Sequence, residues 1–135
     1  MSVFRGGCLC GALRYEAHGT PVCGHCYCAD CRKASGSGFI PFMSFRFGAV
    51  TFSGEALQYS SPSVSGRVAV RNFCPTCGGM VFGGLIGNEH GHTIYAGSLD
   101  DPSLFIPTIA IFTKDRAPWA LIPPGFKTYP GLPDA

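Results

Sequence analysis

The eight cysteines of this 135-residue chain fall into three clusters: Cys8 and Cys10; Cys23, Cys26, Cys28 and Cys31; and Cys74 and Cys77. Sulfurs spaced as C-x-C and C-x-x-C are arranged to meet around an ion, and the fold must bring distant clusters together to do so. Four thiolates close a tetrahedral zinc site, whereas three leave one position open for chemistry. How the eight divide decides between a structural zinc protein and a zinc enzyme. An even cysteine count also suits disulfides, and Cys74-x-x-Cys77 alone also suits a redox dithiol. The first needs an oxidising compartment, and the second a βαβ context that the flanking residues do not supply.

Composition narrows the frame. Hydrophobic residues make up 46% of the chain and charged residues 13%, which argues against disorder. Nineteen glycines and eleven prolines favour short strands joined by turns over long helices. The net charge is +2, with Lys and Arg scattered and no run longer than Arg32-Lys33, so nothing reads as a nucleic-acid footprint. The N-terminal stretch lacks the apolar core of a signal peptide, and no apolar run nears the ~20 residues needed to span a membrane. The expectation is a single domain over residues 1–135, soluble and cytoplasmic, compatible with a homo-oligomer.

Hydrophobic alternation marks strands at Ala12–Ala17, Arg67–Phe73, Met80–Phe82, His92–Ala96 and Thr108–Phe112. Aromatic and β-branched residues mark others at Ile40–Phe47 and Ala49–Phe52, and Gly54-Glu55 turns the chain into Leu57-Gln58-Tyr59. Ser60–Gly66 reads as a loop, the proline-rich tail as extended and irregular, and Ala29–Ser35 as a helix of about two turns. The whole reads as mainly β.

Cys74-Pro75-Thr76-Cys77-Gly78-Gly79 has the form of a zinc knuckle, its glycines tolerating positive φ. The glycine-flanked pair Cys8 and Cys10 is its natural complement, and the two pairs lie more than sixty residues apart. One zinc on Cys8, Cys10, Cys74 and Cys77 would clamp the N-terminal strand to the middle of the chain. Cys26, Cys28 and Cys31 can wrap one face of a second zinc, with the last ligand in the first turn of the helix. Cys23 either completes that site as a fourth ligand or stays a partly buried free thiol. His25, adjacent to Cys26, would point away from an ion held by its neighbour.

Three motifs carry a resemblance: Gly7-Cys8-Leu9-Cys10-Gly11-Ala12-Leu13-Arg14-Tyr15, the run from Cys26 through Cys28 and Cys31 to Phe39, and Phe73-Cys74-Pro75-Thr76-Cys77-Gly78-Gly79. Together they resemble the glutathione-dependent formaldehyde-activating enzyme (GFA) family, also called the CENP-V/GFA domain. Ser98-Leu99-Asp100-Asp101-Pro102 and Ala117-Pro118-Trp119 fit its C-terminal half. The resemblance implies an Mss4-like fold of short antiparallel strands with zinc-binding loops and one short helix. It implies a structural zinc on Cys8, Cys10, Cys74 and Cys77 and a catalytic-type zinc on Cys26, Cys28 and Cys31. The family's named activity, a carbon–sulfur lyase reaction, joins glutathione and formaldehyde as S-hydroxymethylglutathione. Where many relatives carry a His in the late strand, this chain has Ala110.

Other polar residues divide between function and surface. Arg32 and Lys33 beside the open site, with Ser35 and Gly36 in the following turn, could hold a substrate carboxylate; a solvated helix face is the alternative. Asp30 reads as an exposed helix residue, His90 and His92 as surface residues of a polar turn, and Trp119 as core packing. The functional expectation is a zinc lyase acting on a small-molecule thiol such as glutathione and an aldehyde, with no nucleic-acid or membrane partner. A non-catalytic zinc-stabilised binding module and a GFA-like enzyme with another thiol or electrophile are the alternatives.

Overall fold

The computed structural model describes residues 2–63, 66–88 and 90–133. Two sheets are present. The smaller joins β1 (Val3–Gly7), β2 (Arg14–His18) and β5 (Val50–Ser53) in the order β1-β2-β5, all antiparallel. The larger uses β3 (Val22–Cys26), β4 (Ile40–Phe45), β6 (Leu57–Pro62), β7 (Val68–Phe73), β8 (Met80–Gly83), β9 (His92–Tyr95), β10 (Ile109–Ile111) and β11 (Lys127–Thr128). Its order is β11-β10-β3-β4-β9-β8-β7-β6. The single α-helix among the described residues, α1 (Ala29–Ser35), coincides with the expected span.

The two sheets share a core. Phe4, Leu13, Tyr15, Ala17 and Val50 from the smaller sheet and its loops meet Met43, Phe45, Val81, Phe82 and Ile94 from the larger. Aromatic pairs lock the faces together: Phe4 meets Phe45 edge-on at 5.4 Å, and Phe52 stacks on Phe82 at 4.1 Å. Asn72 is fully buried in this core. Its amide donates to the carbonyls of Phe82 (3.0 Å) and Gly84 (2.7 Å) and its oxygen accepts from Gln58 (3.1 Å), so every strong group is satisfied.

Several expectations need correction. The large sheet is mixed rather than antiparallel, because β10 and β11 add in parallel. The long connection after β9, with its 3₁₀ turns at Ala96–Ser98 and Pro102–Leu104, lets the chain re-enter the sheet in the same direction as β3. Ser60, Ser61 and Pro62 extend β6 instead of opening a loop; as an edge strand, it tolerates a proline without losing a ladder bond. Of the rest of that expected loop, residues 64 and 65 lie outside the described residues. β1 and β3 were not expected as strands. His92 is buried, its Nε2 2.6 Å from the Leu85 carbonyl oxygen and its ring against Phe52 and Phe82. Trp119 is 68% exposed, lying over Gly38, where an added Cβ would sit 3.0 Å from the indole.

Candidate metal centres

β1 ends at Gly7, and the turn to β2 carries Cys8 and Cys10; the turn from β7 to β8 carries Cys74 and Cys77. The sheets bring these turns together at one edge of the core, so that the four sulfurs lie within 4.8 Å of one another. A tetrahedron of thiolates at about 2.3 Å from a metal places sulfurs about 3.8 Å apart. Here Cys8 Sγ to Cys10 Sγ and Cys10 Sγ to Cys74 Sγ are both 3.7 Å. Backbone amides converge on the same atoms: Leu13 N–H donates to Cys8 Sγ and Thr76 N–H to Cys74 Sγ, each at 3.3 Å. Gly78 adopts φ 74° as the C-x-x-C turn closes, and a Cβ on Gly79 would press within 3.3 Å of Leu9 N. Burial pushes the Cys8 thiol up, but the Leu13 amide and the neighbouring sulfurs outweigh it and bring it to about 6. Cys77 is lowered by the Cys10 and Gly79 amides, whereas Cys10, against the Ala12 amide, is pushed up to about 11 by the neighbouring sulfurs, so the thiols hold their protons unequally without a cation.

The second centre is local. Cys26 ends β3, Cys28 is the N-cap of α1 and Cys31 lies in its first turn. The three sulfurs again lie within 4.8 Å. Cys28 Sγ takes the place of a capping oxygen, accepting from Cys31 N–H at 3.2 Å. Hydrogen bonds from Cys26 and Cys31 draw Cys28 down to about 2, while the same contacts raise Cys26 to about 12 and push Cys31 well above the ordinary thiol range. Three sulfurs this close can all be thiolates only around a cation, so the cluster could hold a metal ion.

Cys23 stands apart from both groups. Strand alternation turns it to the face opposite Cys26, where it pairs with Met43 and packs against the shared core. Its burial raises its pKa, as for an inert thiol. His25 also points away from Cys26. It stacks on Phe39 at 4.0 Å, its Nδ1 lies 3.2 Å from Tyr27 Oη, and Tyr27 donates to the Leu121 carbonyl. With the Tyr27 proton so committed, Nδ1 is the donor of that pair. Ala110 lies in register with His25 and is fully buried.

The residues expected to bind substrate sit on and after α1. Arg32 is half-buried, and its Nε is enclosed without a hydrogen-bond partner among the described residues. Lys33 is exposed, and Asp30 is half-buried rather than exposed. Ser35 Oγ donates to the Cys31 carbonyl at 2.8 Å, and Gly36 N–H donates to the Arg32 carbonyl from a left-handed conformation. These last two groups finish the helix. On the outer face of the large sheet, Phe42 packs against Cys28 and pairs in register with Tyr95, a neighbour that the sequence gave no local reason to connect with the site.

A short-stranded, two-sheet protein with one four-cysteine and one three-cysteine cluster that could each hold a metal ion is the class that the fold and sites define. The family model for the glutathione-dependent formaldehyde-activating enzyme matches residues 3–115, and the chain belongs to that family. Among solved structures, it is similar to a Rhodobacter sphaeroides protein determined as a structural-genomics target. That match has 22% identity and a TM-score of 0.54, covering 71% of this chain and 87% of the other, and it shows a shared fold. No curated protein matches the sequence.

Proposed function

We propose that this protein is a zinc-dependent carbon–sulfur lyase of the GFA type. It forms or cleaves the adduct of a small thiol, such as glutathione, with an aldehyde such as formaldehyde. The observation that carries this reading is the three-cysteine cluster separated from the only other cysteine that could close it, because Cys23 faces the core. A zinc held by three thiolates keeps one position for a thiol and favours its deprotonated form.

The protein's own residues supply the rest. Cys26, Cys28 and Cys31 hold the ion at the start of α1. Arg32 and Lys33 place positive charge beside it for a substrate carboxylate, and the turn at Ser35 and Gly36 shapes the helix end. In the addition, the thiol sulfur bonds to the carbonyl carbon and the thiol proton passes to the carbonyl oxygen; cleavage reverses both. The four-cysteine centre is the structural zinc. No disulfide joins the eight cysteines, as a reducing, cytoplasmic setting would have it. No helix among the described residues is long and apolar enough to cross a membrane.

Exchange NMR of the glutathione–formaldehyde adduct, with and without zinc-loaded protein, tests the reading. Faster exchange that disappears in Cys28→Ser is expected. An unchanged exchange rate with fully metallated protein rejects this substrate pair.

A further inference from the structure

A groove of roughly 650 Å³ crosses the outer face of the large sheet, and Tyr95 in its lining pairs with Phe42, which packs against Cys28. Strand register explains the groove. Ser44 pairs with Thr93, Thr93 with Gly83 and Gly83 with Arg71, so these four side-chain positions form one row on the same face. Gly83 in the middle of the row leaves a gap. The Tyr95 hydroxyl fills part of it, lying 3.3 Å from where a Gly83 Cβ would stand.

We propose that Arg71 and Tyr95 form the carboxylate-binding subsite of this groove, which orients a carboxylate-bearing thiol toward Cys26, Cys28 and Cys31. The assignment rests on the thiol-lyase reading above and specifies the substrate class for it.

Charge and hydrogen bonding carry the assignment. Arg71 is the only Arg or Lys among the described residues lining the groove, and no Asp or Glu among them faces it. Arg71 is half-buried; among the described residues it has no ion pair, and its Nε is enclosed without a hydrogen-bond partner. A buried N–H left without a partner is costly unless an acceptor completes it, and a carboxylate matches the guanidinium fork. Tyr95 is a protonated donor: burial pushes its phenol well up, against the opposing charge of Arg71. The hydroxyls of Ser44 and Thr93 line the same floor.

The test uses zinc-loaded full-length protein and three probes read by amide NMR shifts at Gly83 and Thr93. S-methylglutathione keeps the carboxylates but has no free thiol; glutathione has both; cysteamine has a thiol and no carboxylate. Arg71→Gln is expected to weaken S-methylglutathione and glutathione about ten-fold or more, the loss typical of a charge-assisted hydrogen bond, while cysteamine is unaffected. Tyr95→Phe, which keeps the ring, should weaken the carboxylate probes about two- to ten-fold, and Arg71→Lys should retain part of the affinity.

Equal affinities in wild type and Arg71→Gln overturn the proposal. So does an equal loss of cysteamine binding, or the absence of saturable S-methylglutathione binding by the wild type. The two readings fail separately. Arg71-dependent S-methylglutathione binding without accelerated adduct exchange rejects the lyase reading alone; accelerated exchange indifferent to Arg71→Gln rejects the subsite alone.

Discussion

Replacing Cys77 with serine removes one ligand from the four-cysteine centre, and the structure gives the scale of the effect. Cys10 and Cys74, whose sulfurs stand 3.7 Å apart, are 64 residues apart in sequence. A covalent link across such a loop removes about 4 kcal/mol of chain entropy from the unfolded state, and a tightly held metal acts in the same way. Domains of this size are stable by about 5–15 kcal/mol, so loss of the clamp takes away a large part of the total. The damage falls where β1 and β2 dock on β7 and β8, with fully buried Cys74 beneath.

Cys28→Ser is the control. Its centre closes a loop of only a few residues, and the serine oxygen can accept the Cys31 amide as an N-cap in place of sulfur. Urea unfolding followed by circular dichroism, with metal content measured in parallel, should show Cys77→Ser destabilised by about 4 kcal/mol or more or failing to fold. Cys28→Ser should lose one metal with a midpoint near wild type. Equal destabilisation of the two variants would refute the division into a clamping centre and a reactive one.

Asn72→Ala should cost about 2–4 kcal/mol, because it strands the buried carbonyls of Phe82 and Gly84; a loss below 1 kcal/mol in urea unfolding contradicts that account. Gly24→Ala places a Cβ 2.6 Å from Ile109 Cγ1, 2.7 Å from the Ile109 carbonyl oxygen and 2.8 Å from Phe42 Cζ. It should cost about 1–3 kcal/mol and loosen the metal at neighbouring Cys26, seen as faster chelator uptake. The guanidinium of Arg14 grips Asp100 with two hydrogen bonds and holds its carboxyl below the usual carboxylate value. That pair therefore stabilises above the unfolded Asp pKa of about 4 and is lost as pH falls through the lowered folded value. The difference in Tm between wild type and Asp100→Asn should be constant near neutrality and vanish only in strong acid; a difference that disappears near pH 6 contradicts it.

The grouping of the cysteines into a four-sulfur and a three-sulfur cluster was legible in the sequence because it is written in short spacings: C-x-C, C-x-x-C and the helix start at Cys28. The alternation of Arg67–Phe73 likewise placed Asn72 and Arg71 on opposite faces, as they are. Other features depend on tertiary partners. β1 was hidden by Gly6 and Gly7, poor strand formers that are needed because Ser98 and Leu13 backbone oxygens come within 2.2–2.3 Å of where their Cβ atoms would be. β3 was hidden because only Val22 of its five residues is a strong strand former, and Gly24 in its middle disfavours one. His92 and Trp119 exchanged their expected places, since nothing local tells a buried imidazole from an exposed one. The placement of Arg71 and Tyr95 in one groove needs the order β9-β8-β7, and no single segment encodes that order.

Zinc K-edge X-ray absorption on protein purified without added chelator, together with metal quantification, tests the central claim most directly. The account predicts two zincs per chain averaging three and a half sulfurs each, from one four-sulfur and one three-sulfur site. In Cys23→Ala these values should not change, because Cys23 faces the core. Two four-sulfur zincs, with one sulfur lost in Cys23→Ala, would show that the second centre is closed and contradict the proposed chemistry.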